Sequence, residues 1–223
     1  MRNEGSVHTM VIPTIHFHSE YSNIPLRIAK GHFATRNSHL NYYIDMTYTK
    51  HRLSEARQAA KELVIKLSPD AIVDTVLCLD GTEVLGACIA DEMGQAGIRN
   101  RNVHESIYVV TPEFTSGGQY IFRENTAHLI QSRQVLVLAA SVTTGTTVRE
   151  AVEAVRYYGG TPMGICGIFS DLEECAGLPV TAVFYSSALE GYQCVSANQC
   201  PLCKAGVKLD ALVNSYGISS FYR

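Results

Sequence analysis

Residues 135–160 carry the pattern that most constrains the fold: an apolar run, a threonine-rich turn around one glycine, and an amphipathic helix. The run over 135–138 is typical of a central strand. The apolar face of the helix consists of Val148, Ala151, Val152 and Val155, with charged residues between them. Gly159-Gly160 ends the helix, because glycine readily adopts the left-handed backbone found at helix termini.

The turn between this strand and this helix is a candidate phosphate-binding loop. Its residues are Thr143, Thr144, Gly145, Thr146 and Thr147. A helix N-terminus offers unpaired N–H groups and about half a positive charge, which favours a phosphate dianion. No lysine follows the glycine, so the loop is not of the P-loop type. A threonine-rich turn that only caps its own helix is the alternative interpretation.

Helical and strand patterns alternate through the middle of the chain. Helices are predicted over 54–67 and 84–95, the second ending at Gly97, and strands over 71–77, 107–111, 135–138, 163–169 and 180–184. This alternation predicts an α/β fold with a mostly parallel central sheet and helices on both faces. Residues 111–134 are predicted to form a hairpin or mobile loop, and beyond Ser186 the pattern weakens into a Cys-, Gly- and Ser-rich tail.

Composition narrows the classes of partner. The 223 residues suffice for one large domain or a domain with a small appendage, and the formal net charge of -3 argues against a nucleic-acid partner. No apolar run reaches membrane-spanning length, and the N-terminus has no signal-peptide pattern, so no membrane partner is expected. Three of the seven cysteines, Cys78, Cys88 and Cys166, lie in apolar runs, which favours a reducing cytoplasm.

Three motifs in order resemble the orotate phosphoribosyltransferase branch of the type I phosphoribosyltransferases. Gly31-His32-Phe33, followed by Ser38-His39 and Tyr42-Tyr43-Ile44-Asp45, is similar to the family's substrate-binding stretch. The strand with its threonine loop resembles the phosphoribosyl-diphosphate signature. The segment from Cys200 to Val207 (CPLCKAGV) is similar to a C-terminal motif of many bacterial members. The resemblance extends over roughly residues 30–209.

This resemblance implies the type I phosphoribosyltransferase fold with a small hood. It implies an N-terminal hood over residues 1–50, a core over 51–186 and a cysteine-containing tail packed on the core over 187–223. It also implies a homodimer, with Mg²⁺ as a possible cofactor. The threonine loop would hold the 5-phosphate of phosphoribosyl diphosphate or of a nucleotide.

Two further subsites follow from the resemblance. Tyr42 and Tyr43 would contact a pyrimidine base, although packing within the hood is the alternative role for this pair. The turn at Asp80, Gly81 and Thr82 would bind pyrophosphate.

The chain departs from the family in three places. Ala139 and Ala140 occupy the positions of an acidic pair that accepts hydrogen bonds from the ribose hydroxyls. Residues 111–119 carry no basic side chain where the family's mobile loop normally has one, although Arg123 is near enough to replace it. Asp80 and Glu83 would repel pyrophosphate unless Mg²⁺ bridged them.

The remaining cysteines and histidines are consistent with a metal site but do not establish one. Cys194, Cys200 and Cys203 form a C-x5-C-x2-C pattern, with Cys175 upstream. One C-x2-C arm fits zinc, but no second arm is evident, so a compact turn is the alternative and no metal site is assigned. His8, His16 and His18 form a weaker group, of which the last two are predicted to share one strand face.

Three functions remain open, and no catalytic residue is assigned. The first is an orotate phosphoribosyltransferase-like protein that binds a phosphoribosyl ligand and transfers it to a pyrimidine-type base; the alanine pair opposes the transfer. The second is a non-catalytic regulatory relative that binds a nucleotide or phosphoribosyl group. The third is catalysis on a phosphorylated substrate that lacks the ribose diol.

Overall fold

A computed structural model describes residues 15–19, 23–68, 71–95 and 106–221. The strands are β1 (Ile15–His18), β2 (Pro25–Ala34), β3 (His39–Asp45), β4 (Thr75–Cys78), β5 (Tyr108–Val110), β6 (Glu113–Phe114), β7 (Tyr120–Ile121), β8 (Gln134–Val142), β9 (Thr161–Ser170), β10 (Glu174–Cys175), β11 (Leu178–Tyr185), β12 (Cys194–Val195), β13 (Ala211–Asn214) and β14 (Gly217–Ser220). The helices are α1 (Thr47–His51), α2 (Leu53–Lys66), α3 (Glu83–Gly94), α4 (Glu124–Ala127), α5 (Thr146–Tyr157) and α6 (Pro201–Lys204), with a 3-10 turn at Ser186–Ala188. None of the helices within these ranges is long and apolar enough to cross a membrane.

The core sheet has the strand order β10-β11-β9-β8-β4-β5. All neighbouring pairs from β11 to β5 are parallel, and only the short β10 runs antiparallel to its neighbour. Apolar side chains of α2 and α3 pack on one face of this sheet, and those of α5 pack on the other. Both faces are therefore buried, which explains why all four residues of β4 are buried and why β8 is mostly apolar. This architecture confirms the predicted α/β fold class.

Strand β8 is longer than the sequence pattern predicts. Its apolar run was expected to end at residue 138, yet the strand continues through Ala139 and Ala140 to Val142. Both alanines lie within this strand and are almost completely buried, at 0% and 1% exposure. Small side chains carry a weak strand signal, so packing between β4 and β9 decides the conformation here.

Helix α5 follows the sequence expectation closely. The four predicted apolar positions are buried and the intervening charged residues are exposed. Gly159 has a φ of 78°, and the N–H of Gly160 donates to the carbonyl of Val155 at 2.9 Å. The N–H of Gly159 donates to the carbonyl of Arg156 at 3.0 Å. This pair of hydrogen bonds is the Schellman arrangement, which satisfies the last carbonyls of the helix.

A second sheet, the hood sheet, combines strands from the beginning and the end of the described chain. Its order is β12-β3-β2-β13-β14, and β1 also pairs with β2. Strands β2 and β13 are parallel neighbours, although they are far apart in sequence. Strands β12 and β13 of the segment 187–221 therefore pair with strands of the hood segment. The division into hood, core and tail stays a prediction.

Several sequence predictions have clear outcomes in the fold. Residues 113–121 form the predicted hairpin, in which β6 and β7 pair antiparallel. The predicted strand over 71–77 begins only at Thr75, because Ile72 is exposed before the chain enters the sheet. His16 and His18 lie on β1, as their alternation predicted. His8 and Gly97 lie outside the described residues.

Candidate functional site

A cavity of about 520 Å³ opens between the core sheet and the hood sheet, and we call it the central cavity. The threonine loop after β8 lines one side of it, and residues 35–46 of the hood line another. The β6–β7 hairpin and the turn after β13 complete its wall. Carboxyl ends of parallel strands are a frequent place for ligand sites in α/β folds, and the threonine loop lies at such an end.

The threonine loop reaches the central cavity with four side chains: Thr143, Thr144, Thr146 and Thr147. The hydroxyl oxygens of Thr144 and Thr146 lie 3.2 Å apart, within hydrogen-bonding distance of each other. Helix α5 begins at Thr146, so its first N–H groups adjoin these hydroxyls. Hydroxyl and amide donors at a helix N-terminus can together bind a phosphate.

Gly145 is required by backbone geometry and does not itself line the cavity. Its φ is 74°, in the left-handed region that favours glycine. A Cβ at this position would lie 2.7 Å from the Sγ of Cys175. The close backbone approach is therefore made to Cys175, whose Sγ lies 3.6 Å from the Gly145 carbonyl oxygen. Glycine here lets α5 begin directly beside β10.

The two tyrosines predicted for the base side occupy different environments. Tyr42 is 4% exposed, and its hydroxyl donates to the carbonyl of Glu190 at 2.7 Å. Tyr43 is half-buried, and burial together with Asp45 raises the pKa of its phenol to about 12. Both side chains line the central cavity. The ring of Tyr42 therefore serves as both a hood-packing group and a cavity wall.

The turn after β4 brings one of its three predicted residues to the cavity. Asp80 lines the cavity, with a φ of 58°. Thr82 is fully buried, and its hydroxyl donates to the carbonyl of Leu79 at 2.7 Å. Gly81 also has a left-handed φ, of 74°, and is not part of the cavity wall. The lysine that supports this turn is Lys50, whose ammonium donates to the carbonyls of Asp80 at 2.8 Å and Ser215 at 2.5 Å.

Burial dominates the electrostatics of Asp80 and raises the pKa of its carboxyl group above the ordinary value. Three contacts oppose this shift: the ammonium of Lys50, the amide N–H of Ala140 and the hydroxyl of Ser215. The same burial lowers the pKa of the Lys50 ammonium, while Asp80 and Glu83 act in the opposite direction. The carboxylate of Asp80 therefore lies beside the backbone of Ala140, one of the two alanines that stand in place of the acidic pair.

Ala139 and Ala140 themselves do not line the central cavity. Ala139 packs in the cluster that α5 forms on the sheet. Among the described lining residues the charged side chains are Arg36, Asp80 and Glu150. Carboxylate oxygens suit Mg²⁺, which proteins usually bind through one or two carboxylates together with ligand phosphates. Asp80 and Glu150 are the two carboxylate residues that line this cavity.

Arg123 does not compensate for the lack of basic residues in the hairpin. Its guanidinium makes two hydrogen bonds of 2.7 Å to the carboxylate of Glu113, and it does not line the cavity. The hairpin instead contributes aromatic and small residues to the wall. These are Phe114, Gly117, Gly118 and Tyr120.

The sequence patterns did not identify several of the residues that line the central cavity. They include Arg36, Ser141, Glu150, Asn214 and Ser215. Ser141 and Glu150 flank the threonine loop, so their proximity in sequence was the available signal. The residues after β13 had no such signal, because only the parallel pairing of β13 with β2 brings them to the cavity.

No protein-family model matches the chain. Over 57 residues the chain is 39% identical to the transcriptional regulator GfcR of Halobacterium salinarum. That match covers 24% of this chain and 26% of the regulator, so only about a quarter of the relative's length is represented.

Solved structures bear on the fold. The UMP synthase of Leishmania donovani superposes with a TM-score of 0.52 and 18% identity, over 73% of this chain and 34% of that one. The orotate phosphoribosyltransferase of Aeropyrum pernix gives a TM-score of 0.49 and 17% identity, over 81% and 93% of the two chains. The likeness to the UMP synthase shows that the chain shares the fold of the matched part of that protein, in agreement with the type I phosphoribosyltransferase fold expected from its three motifs.

Proposed function

We propose that the protein binds a small molecule carrying a ribose 5-phosphate group, such as phosphoribosyl diphosphate or a nucleotide. The observation that carries this proposal is the convergence of the threonine loop and the tyrosine pair on one cavity of about 520 Å³. The loop would bind the phosphate through hydroxyls and helix N–H groups. Tyr42 and Tyr43 would form the base side, and Asp80 and Glu150 would hold any Mg²⁺ that accompanies the phosphates.

We expect transfer of the phosphoribosyl group to a pyrimidine base to be slow or absent. With alanine in place of the acidic pair, a bound ribose diol lacks charge-assisted hydrogen bonds worth about 1.5–3 kcal/mol each. Two such losses correspond to a factor of about a hundred or more in rate or affinity. Ala139 and Ala140 are buried and supply neither charge nor acceptor. Ligand binding with little or no turnover of orotate is therefore the activity we expect.

The alternative is a non-catalytic regulatory relative that binds the same class of ligand. Its support is the partial match to proteins named as transcriptional regulators. That match covers only about a quarter of either chain, so it supports a regulatory role less strongly than the cavity supports ligand binding. The two differ in consequence, since a regulator needs a macromolecular partner whose binding changes when the ligand is present.

Calorimetry with a matched pair of variants tests the binding proposal. Thr146→Val removes one hydroxyl from the cavity wall, and Thr161→Val makes the same change on the exposed start of β9. Ribose 5-phosphate should bind the wild type and Thr161→Val equally, and Thr146→Val about tenfold more weakly, the effect of about 1.4 kcal/mol expected for one such hydrogen bond. Equal affinity in all three proteins would contradict the proposed phosphate site.

An assay of orotate consumption with phosphoribosyl diphosphate and Mg²⁺ separates binding from transfer. Robust turnover would overturn the expectation of weak or absent catalysis and leave the binding site intact. We also propose a homodimer, as the resemblance implies, and a cytoplasmic location. Within the described residues, no two of the seven cysteines are joined in a disulfide, which agrees with a reducing compartment.

A further inference from the structure

Four side chains that can bind a metal converge at the junction between the hood strands and the tail. His32 lies on β2, His39 begins β3, Cys200 immediately precedes α6 and Cys203 lies within it. Their ligand atoms all lie within 4.8 Å of one another. We call these four residues the His2Cys2 cluster. It is outside the central cavity, since none of the four lines it.

The separations within the His2Cys2 cluster match a tetrahedral metal site. The Nε2 atom of His32 lies 3.1 Å from Nδ1 of His39, 3.4 Å from Sγ of Cys200 and 3.6 Å from Sγ of Cys203. Sγ of Cys203 lies 3.2 Å from Nδ1 of His39. Zinc bonds of about 2.3 Å to sulfur and 2.0–2.1 Å to nitrogen place tetrahedral ligands about 3.3 Å apart for N···N and about 3.6 Å for N···S.

The hydrogen bonding of His32 prepares its ring for a metal. Its Nδ1 lies 2.9 Å from the carbonyl oxygen of Val207, which can only accept. Nδ1 therefore carries the proton, and Nε2 presents a lone pair to the other three ligand atoms. Orientation of a ligand histidine by a backbone carbonyl is the usual outer-shell arrangement at zinc. The ring is 1% exposed, so this orientation is fixed by the surrounding packing.

The tail segment forms a compact turn that aims both sulfurs in one direction. The N–H of Lys204 donates to the carbonyl of Cys200 at 3.1 Å, and the N–H of Gly206 donates to that of Cys203 at 3.0 Å. Gly206 has a φ of 73°, which allows the chain to reverse after the second cysteine. The two sequence alternatives for this segment, a compact turn and a metal-binding arm, are thus compatible.

The second arm comes from the hood and not from the remaining cysteines. His32 and His39 are seven residues apart, at the two sides of the β2–β3 turn. Cys194 lies on β12 and Cys175 packs beside Gly145, so neither belongs to the cluster. A histidine pair in a hairpin combined with a C-x2-C turn supplies four ligands of the types that structural zinc sites use.

A hydrogen-bonded cluster of thiols and imidazoles accounts for the geometry less well. Nε2 of His32 has one lone pair but three ligand atoms within 3.6 Å. This nitrogen can accept only one hydrogen bond, so its other two close contacts with polar atoms would have no proton between them. A cation at the centre satisfies all four ligand atoms at once.

We propose that His32, His39, Cys200 and Cys203 bind one structural Zn²⁺ that joins the tail to the hood sheet. Four protein ligands close the coordination sphere, which is the arrangement of structural and not catalytic zinc. The site also bears on the central cavity, because residues 35–38 form the turn between the two histidines and line it. Zinc would therefore hold one cavity wall in place.

Metal analysis of the purified full chain, prepared under reducing conditions without a chelator or metal-affinity step, tests the proposal. We expect one zinc per chain. Cys203→Ser and His39→Ala should each lower metal affinity at least tenfold, since loss of even an outer-shell partner costs 10–100-fold. The matched controls are Cys194→Ser and His128→Ala, whose side chains lie outside the cluster, and both should retain the metal. Equal zinc loss in a control and its cluster variant would contradict the assignment.

Two measurements on the wild-type chain keep the test decisive if a variant fails to fold. Replacement of zinc by Co²⁺ should give the visible absorption of a tetrahedral site together with thiolate charge-transfer bands. Cys203 is exposed, so alkylation of its thiol should accelerate at least tenfold when a chelator removes the metal. A Cys200–Cys203 disulfide in the reduced preparation, a metal-free wild type, or a cobalt complex without thiolate bands would each overturn the proposal.

Discussion

The carboxyl group of Asp80 is held in a setting that opposes its ionisation. It lies beside the N–H of Ala140 and the ammonium of Lys50, yet burial outweighs both contacts and raises its pKa. A carboxyl whose pKa is raised in the folded state binds its proton more tightly there than in the unfolded chain. The contribution of Asp80 to stability is therefore fully present below the unfolded pKa and is lost as pH rises through the folded value.

This sign leads to a prediction for Asp80→Asn. The free energy of unfolding of the wild type, relative to Asp80→Asn, should fall as pH rises from about 4, the ordinary aspartate value, through the raised pKa. Urea unfolding of both proteins across this range would measure the difference. Asp91→Asn, on the exposed side of α3, controls for the loss of one negative charge. A difference that rises with pH would contradict the burial of Asp80.

A carboxyl restored at one position of the alanine pair should change both the stability and the response to ligand. Ala140→Asp places a carboxyl at a position that is 1% exposed, so it should lower the free energy of unfolding by about 2–4 kcal/mol. Phosphoribosyl diphosphate with Mg²⁺ should recover part of that loss, because position 140 adjoins Asp80 on the cavity wall and a carboxylate there would accept hydrogen bonds from the bound ribose. Thermal unfolding with and without ligand measures both effects.

Ala188→Asp is the control for this variant, since Ala188 is exposed and lies in the 3-10 turn. It should change neither stability nor the response to ligand appreciably. If ligand fails to recover any of the stability that Ala140→Asp loses, the missing pair does not account for the altered site.

An ion pair connects the hood sheet to the core. Arg27 on β2 makes two hydrogen bonds, of 3.0 and 2.8 Å, to the carboxylate of Glu55 on α2. Their side chains are only 13% and 10% exposed. Arg123 and Glu113 form a second bidentate pair of similar geometry, with exposures of 66% and 49%. The two pairs differ mainly in burial.

Matched substitutions of the two arginines should therefore give unequal results. Arg27→Met leaves a buried carboxylate without its main partner and should lower the free energy of unfolding by about 2–3 kcal/mol. Arg123→Met removes a solvent-exposed ion pair and should have little effect. Chemical denaturation of the two variants gives the comparison. Similar losses would mean that burial does not determine the strength of these pairs.

Elements with strong periodicity were predictable from sequence, and the others were not. The buried face of α5 follows from the 3.6-residue spacing of Val148, Ala151, Val152 and Val155, and the parallel sheet follows from alternating strand and helix runs. Strands β13 and β14 are four residues each and partly exposed, so their local signal is weak. They form through pairing with each other and with β2, which no local pattern encodes.

Local sequence patterns were likewise sufficient for one of the two candidate sites and insufficient for the other. The threonine loop could be predicted because its residues are contiguous and precede a helix. The His2Cys2 cluster could not, because its two arms are about 160 residues apart and the histidines read equally well as part of a substrate-binding motif. The turn after β13 reaches the cavity for the same non-local reason.

The pairing of β2 with β13 has a consequence for the order in which the molecule is completed. The backbone N–H of His32 donates to the carboxylate of Asp210 at 2.8 Å, a contact that spans 178 residues. During synthesis from the N-terminus, β2 and β3 leave the ribosome long before this partner exists, whereas every strand of the core sheet is available earlier. Contacts of such long sequence separation form slowly. We therefore expect the core sheet to form before the hood sheet is complete, so that the turn after β13 joins the wall of the central cavity late in folding.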